Sequence, residues 1–242
     1  MAIPPDSRRS RTTLPGMLRT TPGRADSTAF SIAAIVIVVA FGFLIAKTHA
    51  MTHIDLQGDK ALNKLHTGFL GALGSGVYKV FSPVEAVLIT LLVMVAIWLF
   101  ARSLRLAITF GAVVAITWIP SDIIKILVHR SRPDPSAFAH HLATQPTDPS
   151  YPSGHMVFVT TLALALFFLA RGKSFRPLVG VLGIIGVIVV AFCLVSDGVH
   201  YPTDVLASIL WSLGVVPLVL GLWNRYVLPR TYRTPASPET LA

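Results

Sequence analysis

The chain has 242 residues, of which 53% are hydrophobic and only 13% charged, with a mean hydropathy of +0.69. Soluble domains carry about 25% charged residues, so the composition argues against an ordinary water-soluble enzyme. It also rules out a disordered chain or a disulfide-stapled one, since Cys193 is the sole cysteine. Twenty Lys and Arg against eleven Asp and Glu give a net charge of +9. That excess fits the cytoplasmic loops of a polytopic membrane protein better than nucleic-acid binding, and no nucleic-acid partner is expected.

In chain order, residues 1–28 are rich in Pro, Thr and Arg without apolar periodicity, and are expected to form a disordered basic cytoplasmic tail. A bilayer core of about 30 Å needs about 20 apolar residues per helix. Six stretches meet or approach that length: Ala29–Ala46, Val84–Ala101, Leu106–Val128, His155–Ala170, Pro177–Ser196 and Thr203–Trp223. The expected fold is therefore all-α, a polytopic membrane bundle of six transmembrane helices over residues 29–226, with a short cytoplasmic tail at 227–242. Between the first two spans, Leu62, Leu65, Phe69, Leu73 and Val77 recur at three- and four-residue spacing. They predict one outer amphipathic helix lying along the interface, although Gly68, Gly71, Gly74 and Gly76 weaken that pattern.

Lys and Arg orient the bundle. The N-terminal tail, the Arg102–Arg105 loop, the Arg171–Arg176 loop and the C-terminal tail together hold thirteen of the twenty, and the alternate connections hold seven. The richer side is cytoplasmic, which places both termini inside, in a membrane read as the plasma membrane.

Three polar segments then share the outer face. The first is Lys125 at the end of span three, followed by Arg130 and Arg132-Pro133. Cations concentrated on an outer surface run against the positive-inside bias, and an anionic ligand would favour them. Taken alone, Lys125 reads as a snorkelling anchor or as an ion-pair partner of Asp122, and Arg130 and Arg132 read as headgroup anchors. The second segment is Tyr151-Pro152-Ser153-Gly154-His155. Ser153 is a good N-cap. The same helix start also offers free N–H groups to an anion, with Gly154 leaving the backbone open and His155 in the first turn. The third is His200-Tyr201-Pro202-Thr203-Asp204. Here Asp204 is expected either to accept the Nδ1–H of His200, leaving the other ring nitrogen unprotonated, or to serve only in an N-cap network.

Lys125-x6-Arg132-Pro133, Pro152-Ser153-Gly154-His155 and His200-x3-Asp204 together resemble the three-part signature of the type 2 phosphatidic acid phosphatase superfamily. The resemblance implies an integral-membrane phosphatase acting on a lipid phosphate or isoprenyl diphosphate at the extracytoplasmic face. It makes His200 the nucleophile that forms a phosphohistidine. Asp204 orients the His200 imidazole, and His155 protonates the leaving oxygen and then activates water. Lys125, Arg132, Ser153 and Gly154 hold the phosphoryl oxygens. Where relatives carry an arginine before the third motif, this chain has Leu194. The resemblance therefore implies weaker activity unless another group, Arg130 first, serves as an accessory phosphate contact. No carboxylate cluster suited to Mg²⁺ is present, so no metal or other cofactor is expected, and the expected partners are the lipid substrate and membrane lipids. A phosphotransferase with the same intermediate, or a non-catalytic lipid-phosphate binding or transport protein, are the alternatives. The sequence carries no signal for an oligomeric state.

Overall fold

The computed structural model describes residues 25–142 and 145–227. The expected tails fall largely on residues 1–24 and 228–242, outside the described residues. Each of the six apolar segments is helical. They form α1 (Ala25–Thr48), α4 (Pro83–Ala101), α5 (Leu104–Val128), α6 (Gly154–Leu169), α7 (Arg176–Ser196) and α8 (Pro202–Leu222). The first begins at Ala25, four residues inside the segment read as tail.

Local chemistry sets most of the boundaries. Pro83 and Pro202 open α4 and α8 at positions where a missing N–H costs nothing. Ser103 and Ser153 cap α5 and α6 through the amides of Leu106 and Met156. Arg102 and His129 take left-handed backbone angles that end α4 and α5.

Five of the helices are long and apolar enough to cross a membrane: α1, α4, α5, α7 and α8. The sixth, α6, has 16 residues, about 24 Å of rise. It packs against α5, α7 and α8, with Met156, Val157 and Phe158 fully buried. Around it, α1 packs on α8 and α4 on α5. The outward residues of the long helices, such as Leu92, Ile126, Ile184 and Leu206, are apolar and exposed, which is the inverse of a water-facing surface.

The connection from α1 to α4 differs from expectation. Instead of one helix, it forms α2 (Thr52–Asn63) and α3 (Gly68–Val80), with Gly68 opening α3 at φ +49°. Of the predicted stripe, Leu62 and Val77 pack against the core and Leu65 and Phe69 point outward, while α2 also buries Asp55, Asp59 and Asn63. The reason is electrostatic. A buried guanidinium, Arg130, needs counter-charge, and the Asp55 carboxylate meets it at 2.7 Å. Asn63 continues the polar face, donating to the carbonyls of His140 and Ser196 at 2.5 and 2.7 Å.

Asp59 has no hydrogen-bond partner among the described residues. Burial, followed by the nearby Asp55 and Asp204, raises its pKa to about 8, against the pull of Arg130. The folded state thus keeps a proton that the unfolded chain loses in the ordinary carboxylate range, so this group's penalty grows with pH up to about 8. Asp59→Asn is expected to melt with the native protein under acidic conditions and to gain stability steadily as pH rises to that value. Melting scans in detergent across that range check it; a constant offset would contradict it.

Candidate active site

Where α3, α4, α5 and α6 meet the loop after α5, a cavity of about 340 Å³ opens. Its lining is amphiphilic. Lys125, Arg132, Asp148, Gly154 and His155 form one part, and Phe81, Pro83, Trp118 and Ile126 another. Four of the residues singled out in the sequence, from the first two of the three motifs, therefore face one space, whereas His200, Asp204 and Ser153 are not among its lining residues.

The cations are held rigidly. Lys125 Nζ lies 2.7 Å from Asp148 Oδ2. Arg132 donates through Nη2 to Asp148 Oδ1 at 2.9 Å and through Nε to the Asp148 carbonyl at 2.8 Å. Its remaining terminal nitrogen, Nη1, donates to the Val199 carbonyl at 2.6 Å and sits 3.2 Å from His200 Nε2. Burial alone would raise the Asp148 carboxyl. The two cations overcome that and hold it down to about 2, so it stays ionised at any ordinary pH.

His200 is fully buried behind Arg132. Its Nδ1 is 2.9 Å from the Ser150 carbonyl, and a carbonyl only accepts, so Nδ1 carries the proton and Nε2 presents a lone pair. Burial, then Arg132 and Lys125, push the imidazole well below its usual pKa. It is therefore neutral, with Nε2 unprotonated.

The expected partnership of His200 with Asp204 is displaced. Asp204 Oδ2 stands 3.8 Å from His200 Nδ1, beyond a hydrogen bond, and instead accepts from the Tyr201 amide at 3.0 Å. Its Oδ1 meets Arg130 Nη1 at 2.6 Å. Asp204 sits in the first turn of α8 with a buried guanidinium beside it, and that charge claims the carboxylate. Arg130 is accordingly committed. It bridges Asp55, Thr203 and Asp204 and stacks 4.1 Å above the Tyr201 ring. Three of its five N–H groups are engaged there, and it is not among the residues that line the cavity.

His155 is stacked on Tyr78 with ring centroids 4.4 Å apart. Its Nε2 is 3.1 Å from the Tyr78 carbonyl and donates to it, leaving Nδ1 as the nitrogen free to gain or lose a proton. Ser153 is fully buried and is not among the residues that line the cavity, with its hydroxyl accepting from Met156 and its own amide donating to Ser208. Leu194 is fully buried in the apolar core and is not among the cavity's lining residues.

Two participants were not singled out in the sequence. Asp148 carried only the weak signal of an acid in a Pro-rich outer loop. Asp55 carried none beyond being an acid on a helix expected to bury its apolar side.

Residues 106–227 match the family model described as the PAP2 superfamily. An undecaprenyl-diphosphatase of Sulfolobus acidocaldarius is 32% identical over 139 residues, 56% of this chain and 58% of that protein. The undecaprenyl-diphosphatase BcrC of Bacillus subtilis is 30% identical over 144 residues, 59% of this chain and 69% of that one. The alignment thus spans little more than half of the archaeal relative's length. The crystal structure of a transmembrane PAP2-type phosphatidylglycerolphosphate phosphatase from Bacillus subtilis superposes with a TM-score of 0.69 at 18% identity. It covers 81% of this chain and 96% of that one, and so shows a shared fold. With half of its length, including every motif of the cavity, inside the family match, this integral multi-pass membrane chain belongs to the PAP2 superfamily.

Proposed function

We propose that this protein is a membrane phosphatase that hydrolyses an isoprenyl diphosphate or a lipid phosphate at the extracytoplasmic face, through a phosphohistidine on His200. One observation carries the reading: a single cavity joins two fixed cations to an apolar wall, and the lone pair of a neutral histidine touches one of those cations at 3.2 Å. That arrangement suits an amphiphile with a phosphate head. The names of the two curated relatives support an isoprenyl diphosphate as the favoured substrate.

In the first step His200 Nε2 attacks phosphorus and the bond to the leaving oxygen breaks. His155, protonated on Nδ1, gives that proton to the leaving group. Lys125, Arg132 and the Gly154 amide take up the charge that develops on the phosphoryl oxygens. In the second step His155 removes a proton from water, the water oxygen attacks the phosphohistidine, and the P–N bond breaks to return neutral His200. The Ser150 carbonyl keeps the Nδ1 proton of His200 in place throughout. Asp204 acts at 3.8 Å as a charge that favours the imidazolium rather than as a direct acceptor. Leu194 supplies no contact, and slower turnover than in arginine-bearing relatives is part of the reading.

In the same reading α6 is the sixth span, the termini are cytoplasmic, and α2 and α3 lie at the outer interface. Cysteine placed at exposed Ser136 in a Cys193→Ala background is expected to react with an impermeant maleimide in intact cells, whereas cysteine at Ser174 should not. Labelling of the Ser174 variant would overturn the orientation. The function itself is tested with purified protein in detergent and EDTA, by measuring phosphate release from undecaprenyl diphosphate, a shorter isoprenyl diphosphate, phosphatidic acid and phosphatidylglycerol phosphate. Release is expected from at least one, with the diphosphates fastest. Binding without turnover of any would favour the non-catalytic alternative.

A further inference from the structure

We propose that Asp148 is a built-in stand-in for the substrate's phosphoryl group, and that it keeps the monoanionic diester headgroups of ordinary membrane phospholipids out of the site. The inference rests on the reading of Lys125 and Arg132 as phosphate ligands. Each oxygen of the Asp148 carboxylate takes one of those cations, at 2.7 and 2.9 Å, which is the forked contact that two phosphoryl oxygens would make. Asp148 is half exposed, belongs to a loop rather than a helix, and lines the same cavity. It is therefore placed to swing aside, which a buried structural acid such as Asp204 is not.

The exclusion follows from competition. Any ligand that reaches both cations must displace the carboxylate, so every apparent affinity falls by the same factor. A membrane holds a large excess of singly charged diester headgroups over any phosphate-monoester or diphosphate lipid, whose terminal phosphate carries about −1.5 to −2 at neutral pH. A site built from cations and an apolar wall alone would fill with the diesters. With the internal carboxylate the weaker anion no longer fills the site, whereas the stronger one still does.

The test compares two affinities in the same mixed micelles: the KM for an isoprenyl diphosphate and the inhibition constant of phosphatidylglycerol, a diester. In Asp148→Asn the inhibition constant and the KM are both expected to fall by a similar factor of about tenfold or more, because neither ligand now has to displace a charge. Asp148→Glu, which restores the charge, is expected to return both constants most of the way to the native values. If Asp148 merely holds the cations in position, Asn weakens both ligands and both constants rise. That result overturns the proposal, as does an inhibition constant that stays unchanged. Failure of the underlying reading appears separately, as full turnover in Lys125→Ala and Arg132→Ala assayed without diester.

Discussion

His200→Ala is expected to lower phosphate release by about 10⁴-fold or more, because it removes the group proposed to form the covalent intermediate. His200 is fully enclosed, its Nδ1 proton is fixed by the Ser150 carbonyl, and its Nε2 faces Arg132. Asp204→Asn should cost less in rate than loss of His200, since the imidazole keeps its carbonyl partner. It should cost more in stability, because it leaves Arg130 buried with one counter-charge fewer. Rates and melting temperatures of the two variants, measured in the same detergent, separate the roles. Equal losses of rate with unchanged melting would contradict the division.

Lys125→Ala and Arg132→Ala are each expected to reduce kcat/KM by about 10²–10³, the usual consequence of losing one preorganised donor. Arg132 should lie at the upper end, because it contacts Asp148, the Val199 carbonyl and the nucleophile together. Arg130 behaves differently although it stands two residues away. It is 4% exposed and satisfied by Asp55, Thr203 and Asp204. Arg130→Met is therefore expected to destabilise the fold by about 3–5 kcal/mol, as removal of one member of a buried ion pair does. Kinetics on whatever fraction remains folded should show an unaltered KM. A raised KM in a fully stable Arg130 variant would return that residue to the phosphate site.

The apolar segments were legible because a bilayer demands a length and composition that few other structures need, and all six are helical here. The cavity was legible in part. Lys125, Arg132, Gly154 and His155, from the first two motifs, line one cavity, because each lies at or near a helix end whose capping chemistry is local. What the sequence hid was pairwise. Nothing local distinguishes Arg130 from Arg132; only the left-handed turn at His129 and the acids of α2 send one inward and leave the other beside the cavity. The same contest redirected Asp204, whose spacing from His200 fits an i, i+4 pair but whose carboxylate lies closer to a buried guanidinium. The amphipathic reading caught part of the α1–α4 connection, since Leu62 and Val77 pack against the core. It missed the acids of α2, which a buried guanidinium draws inward beside them.

The most direct measurement is to mix purified protein with an isoprenyl diphosphate labelled in its terminal phosphate, in detergent with EDTA. The reaction is quenched within one turnover under alkaline denaturing conditions, and the phosphorylated peptide is located by mass spectrometry. The account predicts a phosphoryl group on His200, absent in His200→Ala and longer-lived in His155→Ala. A phosphoryl group on His155, or full turnover with no phosphoenzyme at any time point, would contradict it.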